Sequence, residues 1–352
     1  MSEPLLEVDD LTVQYETDDG MLTATSNASF SISEGEFFGL AGESGSGKST
    51  LAKAIIGGLD DNGQVSSGTI TYRGEEIQDL SDKELSQRIR WKEISWIPQG
   101  AMSSLDPLQR VSEQALEIGN VHTDLPDEEI RDKLKETFDI VGLQESRIDD
   151  YPHQFSGGMQ QRAIIALALF LEPELVIADE PTTALDVIMQ DQIFTYLDRL
   201  KDELDISLLL ITHDISVIFE SCDSVAIMHA SQIAERGTTD AVHANPRHPY
   251  AFMFKEAFPD IREPKRELEV IEGHPPELMG EVDFCSFADR CPWAAPECRE
   301  GAPPTESVED GDPSHVTACV RKEEAYEMYR SDASPIDDGS GAQSIAQMGE
   351  VD

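Results

Sequence analysis

The run Gly42, Glu43, Ser44, Gly45, Ser46, Gly47, Lys48, Ser49, Thr50 fits G-x-x-x-x-G-K-[ST], the spacing of a phosphate cradle. Glycines permit the backbone angles by which successive N–H groups wrap phosphate oxygens. Lys48 offers a point charge to β- and γ-phosphates, and Ser49 offers an oxygen to Mg²⁺. Further on, an apolar run at 175–178 ends in Asp179 and Glu180. Asp179 is placed to hold Mg²⁺ through water, and Glu180 to polarise an attacking water. A glycine-rich turn or a solvated acidic turn would each be unremarkable alone. Their order along one chain points instead to hydrolysis of a nucleoside triphosphate.

The elements that must position these residues are legible in outline. Strands are expected at 5–15, with a possible turn at Asp9 and Asp10, and at 29–32, 36–41 and 69–72. The 36–41 strand leads directly into the glycines, and 49–57 follows as a helix. From about 80 to 160 the chain reads as a largely helical insertion, broken by Pro98, Pro107 and Pro126. Beyond it lie an apolar helix at 163–171, a buried strand at 175–178, a long helix at 187–204 and a buried strand at 207–212. This alternation predicts an α/β fold with a mainly parallel sheet flanked by helices. Past Pro259 regular signals fade: Pro, Glu and Cys dominate to about 330, and 331–352 reads as a disordered tail. The expected division is a nucleotide-binding domain at 1–260, a Cys-rich extension at 261–330 and the tail.

Acids outnumber bases 70 to 26, for a formal charge of −44, and only ten of the bases are Lys. Hydrophobic residues still make up 39%, enough for a globular core, and the length suits about two domains. Such a surface excludes bulk electrostatic attraction to nucleic acid or anionic lipid, so no nucleic-acid partner is expected. It points to a cytosol of very high salt, as in haloarchaea, where a Debye length of about 3 Å at 1 M screens the repulsion. An acidic mesophile surface is the plainer alternative. The longest apolar run, 163–171, falls far short of the ~20 residues a membrane helix needs, and the first residues lack the pattern of a signal peptide. An intracellular chain is expected, whose five Cys suit metal binding or chance better than disulfides.

With the cradle and acidic strand in place, Phe155, Ser156, Gly157, Gly158, Met159, Gln160, Gln161 and Arg162 resemble the signature of ABC-type ATPases, in the expected order. Tyr15 stands where the family stacks an aromatic ring on adenine. Gln99 resembles the Q-loop glutamine, Ala184, Leu185 and Asp186 the D-loop, and His213 the switch histidine. The resemblance spans about 5–259. It implies ATP and Mg²⁺ as ligands, with Mg²⁺ held by Ser49, Gln99 and Asp179. It makes Glu180 the base, has His213 sense the γ-phosphate, and sets Ser156, Gly157 and Gly158 against the ATP held by a partner cassette.

Three further stretches are similar to the branch that imports dipeptides, oligopeptides and nickel. They are 97–107 around the Q-loop, Asn245–Tyr250 with its His248, Pro249 and Tyr250, and the cluster Cys285, Cys291, Cys298, Cys319 with Phe287, Arg290 and Pro292. Phe284 departs from the family, which usually has Gly there. Thiolates suit Zn²⁺ or an Fe–S cluster; the resemblance implies a [4Fe–4S] cluster, with zinc and free thiols as alternatives. Cys222, alone beside an apolar strand, reads as core. The resemblance further implies an ATP-hydrolysing importer subunit on the cytoplasmic membrane face, paired with a paralogous ATPase, two membrane permeases and an extracellular binding protein. Peptides are the expected cargo, nickel or a sugar the alternative; a soluble ABC ATPase or an Fe–S redox protein are the competing classes.

Overall fold

The computed structural model describes residues 3–181, 206–258, 271–309 and 311–332. Among them an antiparallel sheet of order β2-β1-β4-β5 combines β1 (Leu6–Thr17), β2 (Gly20–Ile32), β4 (Gly63–Tyr72) and β5 (Glu75–Glu76). The expected turn at Asp9 and Asp10 is instead a bulge within β1, between Val8 and Leu11, with Asp10 at φ 46°. Thr23, Thr25 and Ser26 of β2 are buried polar residues. They blur the apolar alternation, which is why only 29–32 of that strand is readable from sequence.

The larger sheet is built on β3 (Phe37–Ala41), β6 (Ile94–Ile97), β7 (Leu175–Asp179), β8 (Ser207–Thr212) and β9 (Ser224–His229), in the order β9-β3-β8-β7-β6 and all parallel. Side chains alternate across a strand, so each central strand feeds two cores. Phe38, Leu40, Ile177, Leu209 and Ile211 pack toward the antiparallel sheet and α1 (Lys48–Ile55). Phe37, Ala41, Val176, Ala178, Leu208 and Leu210 pack against the opposite layer, which holds α5 (Gly157–Leu169). Burial on both faces explains their nearly unbroken apolar sequences.

The segment expected to be a helical insertion holds α2 (Asp82–Arg88), α3 (Val111–His122) and α4 (Asp127–Ile140). It also holds β6, a strand of the main sheet that its short, Trp-bearing sequence conceals. The helix expected at 187–204 and the proposed boundary near 260 lie outside the described residues, as does the tail from 333 onward. Ser331 and Asp332 close a helix, Lys322–Asp332. Among the described residues no helix is long and apolar enough to cross a membrane.

The Cys-rich extension does not stand apart. Its β11 (Glu306–Ser307) and β12 (Val316–Thr317) extend the main sheet through β10 (Gln232–Thr238). Phe287 lies in the cassette core. The junction carries a fully buried pair: His315 Nε2 lies 2.7 Å from Glu235 Oε1, both side chains at 0% exposure. Glu235 also accepts backbone N–H bonds from Arg247 at 2.8 Å and His248 at 2.6 Å. Replacing His315 with Leu removes one partner of a buried pair and should cost about 3 kcal/mol. The urea midpoint at fixed salt measures it, and an unchanged midpoint would contradict the pair's role at this junction.

Candidate functional site

Four parallel strands end level with one another. Ala41 pairs with Thr212, Asp179 with Ile211 and Ile97 with Ala178. The residues just beyond those ends are therefore brought together, at the carboxyl edge where open α/β sheets bind ligands. β3 delivers the 42–47 loop, β6 delivers Gln99, β7 delivers Asp179 and Glu180, and β8 delivers His213.

The loop turns into α1 at Gly47, which lies at φ 104°. A Cβ there would sit 2.0 Å from the Ala24 carbonyl oxygen, so only glycine fits. The first N–H groups of α1 have no intrahelical partner, and no side chain caps the helix. Lys48 lies beneath, its Nζ donating to the carbonyl oxygens of Gly42 at 2.7 Å and Glu43 at 2.8 Å. Burial lowers the Lys48 pKa to about 8, although the carboxylates of Glu180, Asp179 and Glu43 oppose the shift.

Asp179 is 1% exposed, and its Oδ1 has no hydrogen-bond partner. Burial raises its pKa; a hydrogen bond from Ser49 opposes this and the neighbouring Glu180 charge adds to it. A buried carboxylate with one oxygen left open, held by the Ser49 hydroxyl and beside a second carboxylate, fits a divalent cation. Glu180 is held at φ 47° and is bracketed on both oxygens. Gln99 Nε2 donates to Oε2 at 2.8 Å, and His213 Nδ1 lies 3.3 Å from Oε1.

These groups open into a cleft of about 540 Å³ that includes Tyr15, the loop, Gln99 and Glu180. Ser156 caps α5 with extended backbone, and both it and Gly157 are exposed. None of Ser156, Gly157 and Gly158 lines the cleft of their own chain. Asp186 lies outside the described residues.

Two family models match this chain: ABC transporter over residues 25–183, and the C-terminal region of oligopeptide/dipeptide transporters over 234–298. The oligopeptide transport ATP-binding protein OppD of Salmonella typhimurium strain LT2 is 41% identical over 319 residues, 90% of this chain and 93% of that protein. The chain belongs to the ABC transporter family, as an ATP-binding subunit of the oligopeptide/dipeptide branch. The dipeptide transport ATP-binding protein DppD of Escherichia coli K12 is 37% identical, covering 87% of this chain and 94% of its own. A solved structure described as a dimeric, post-hydrolysis state of the ATP-binding cassette MJ0796 bound to ADP and Pi aligns with TM-score 0.59 and 29% identity. It covers 66% of this chain and 98% of that one.

The 234–298 region of this ABC subunit supplies site residues whose roles cannot be read from sequence. The Tyr250 hydroxyl accepts the Glu43 N–H at 3.1 Å, while His248 caps the helix Pro249–Glu256 by accepting the Tyr250 N–H. Arg290 forks onto the Glu43 carboxylate at 3.1 and 3.0 Å. Only the His248, Pro249, Tyr250 run and the Cys-flanking Arg290 signalled them, as marks of the branch rather than as parts of the site. Cys222 is buried, as expected of a core residue.

The four clustered Cys behave differently from the nucleotide residues. Burial raises the Cys285 thiol and pushes Cys291 and Cys319 up to about 12, and the neighbouring Cys thiols add to each shift. Yet no group of three or more His, Cys, Asp or Glu side chains among the described residues is arranged to hold a metal ion. The four are thus neighbours without forming a closed ligand set among the described residues.

The Lys48 ammonium is lost as pH rises through about 8. ATP affinity should therefore be flat below that pH and fall above it, by up to about tenfold per pH unit. Binding titrations across this range measure it, with Lys48→Met expected to lack the fall; affinity unchanged to about pH 10 would contradict the assignment.

Proposed function

We propose that this chain hydrolyses MgATP as the motor subunit of a binding-protein-dependent importer of peptides. The observation that carries the catalytic part is the Gln99–Glu180–His213 constellation beside the Lys48 cradle. Lys48 and the N-terminus of α1 hold the β- and γ-phosphates, and Tyr15 stacks on the base. Ser49, Asp179 and Gln99 would hold Mg²⁺, which supplies charge neutralisation on the phosphates when bound. Glu180 accepts a proton from the attacking water as its oxygen bonds to the γ-phosphorus. The bond to the β,γ-bridging oxygen then breaks, giving ADP and phosphate. Gln99 and His213 orient that carboxylate, so neither of its oxygens swings away from the water.

The Ser156 tip lies outside its own cleft, which supports a dimer in which each tip closes the other chain's ATP and excludes water. Relatives named for oligopeptide and dipeptide transport support peptide cargo; nickel or a sugar would use the same cassette. In this reading a paralogous ATPase, two permeases and an extracellular receptor complete the assembly, and the chain sits peripherally at the cytoplasmic face. Glu180→Gln should keep ATP binding but lower steady-state turnover in the full assembly by at least about a hundredfold. An unchanged rate would remove Glu180 as the base.

Two finer points belong to the same proposal. The first is a [4Fe–4S] cluster on Cys285, Cys291, Cys298 and Cys319, with zinc as the alternative, supported by four thiols, two buried and two half-buried, in electrostatic reach of one another. Anaerobically purified protein should absorb near ~400 nm with iron and sulfide at about four per chain; colourless, iron-free protein would eliminate the cluster. The second is a high-salt cytosol, supported by the −44 charge. The unfolding midpoint should rise between about 0.1 and about 3 M KCl, and a flat profile would contradict it.

A further inference from the structure

The branch-specific C-terminal region reaches the nucleotide cleft at two places. β2 is the outer strand of the antiparallel sheet, and its Leu22 pairs with Tyr15 on one side and with Met279 on the other. Residues 278–280 lie along that edge: Thr23 N donates to the Leu278 carbonyl at 2.8 Å and Gly280 N to the Met21 carbonyl at 2.7 Å. The Thr23 hydroxyl donates to the Gly280 carbonyl. Leu278 is anchored in a small apolar cluster with Ala230 and Val282. The preceding residues His274, Pro275, Pro276 and Glu277 line the same cleft as Tyr15. His274 and Glu277 are exposed toward solvent.

The second contact is at the other end of the loop. Arg290, 8% exposed, forks onto Glu43, and its Nε donates to the Glu272 carbonyl at 3.0 Å, at the base of the strap. Arg290 Nη1 lies 2.9 Å from His229 Nε2. Arginine can only donate, so His229 accepts there as a neutral ring and its Nδ1 faces the Ser286 hydroxyl at 3.0 Å. Burial, with the Arg290 charge behind it, pushes His229 down to about 3 and keeps it neutral. A forked guanidinium fixes both position and plane of a carboxylate. Glu43 is thereby held from both sides, its N–H by Tyr250 and its carboxylate by Arg290.

We propose that the C-terminal extension is a working part of the ATP site: the 274–278 strap is a wall of its Tyr15 end, and Arg290 is a positioning residue that sets the phosphate loop through Glu43. The inference rests on the nucleotide-site reading above. It also gives the extension a task that needs no metal chemistry, because Arg290 precedes Cys291 directly and transmits the fold of the Cys segment to the loop.

The test uses the full chain, MgATP titrations with a fluorescent analogue, and hydrogen exchange of the strap. Saturating MgATP should slow exchange across 273–280. His274→Ala with Glu277→Ala, both exposed and thus benign to folding, should weaken binding about threefold. Arg290→Leu should weaken it about tenfold, and Arg290→Lys should restore part of the loss by keeping the charge without the fork. In the assembled importer Arg290→Leu should raise KM for ATP while kcat at saturation changes less than about twofold. Strap exchange indifferent to MgATP, with all these variants binding like the parent while Lys48→Ala weakens binding, overturns this inference alone. Normal binding by Lys48→Ala overturns the nucleotide-site reading and this inference with it.

Discussion

At the carboxyl edge of the sheet a buried ammonium faces carboxylates that it cannot fully satisfy. Lys48 bonds backbone oxygens rather than an acid, and the Asp179 Oδ1 atom has no partner. Both groups are shifted toward their neutral forms by burial, so the chain's own residues leave both charges undercompensated. A phosphate for Lys48 and a divalent cation for Asp179 compensate both together. The α/β architecture is needed because only aligned parallel strands bring these residues to one edge from 131 positions apart, as between Lys48 and Asp179.

The same logic orders the rest of the molecule. A loop made of glycines is easily displaced, and here its second residue is pinned by Tyr250 and Arg290, both from the C-terminal third. The extension joins the main sheet through β12 and is locked there by the Glu235–His315 pair. It packs on the cassette core rather than forming one of its own, so a segment poor in apolar residues still folds.

Much of this is legible in the sequence, for physical reasons. Parallel strands buried on both faces appear as apolar runs, and the phosphate loop, the paired acids and the signature are local spacings. The 36–41, 175–178 and 207–212 strands read correctly because nothing interrupts that pattern. β2 does not, because Thr23, Thr25 and Ser26 hide its alternation. β6 does not, because four residues that include Trp96 and stop at Pro98 carry too little periodicity. Contacts across 247 residues, such as Arg290 with Glu43, leave no local trace at all; nor does the bracketing of Glu180 by Gln99 and His213.

The central claim is that two cassettes close on each ATP, one supplying the Lys48 cradle and the other its Ser156–Gly158 helix tip. An electron cryomicroscopy reconstruction of the importer, stalled with MgATP by Glu180→Gln, tests it most directly. The account places each tip within hydrogen-bonding distance of the opposite chain's γ-phosphate. Density in which nucleotide fills the cradle while the tip contacts only solvent would contradict it.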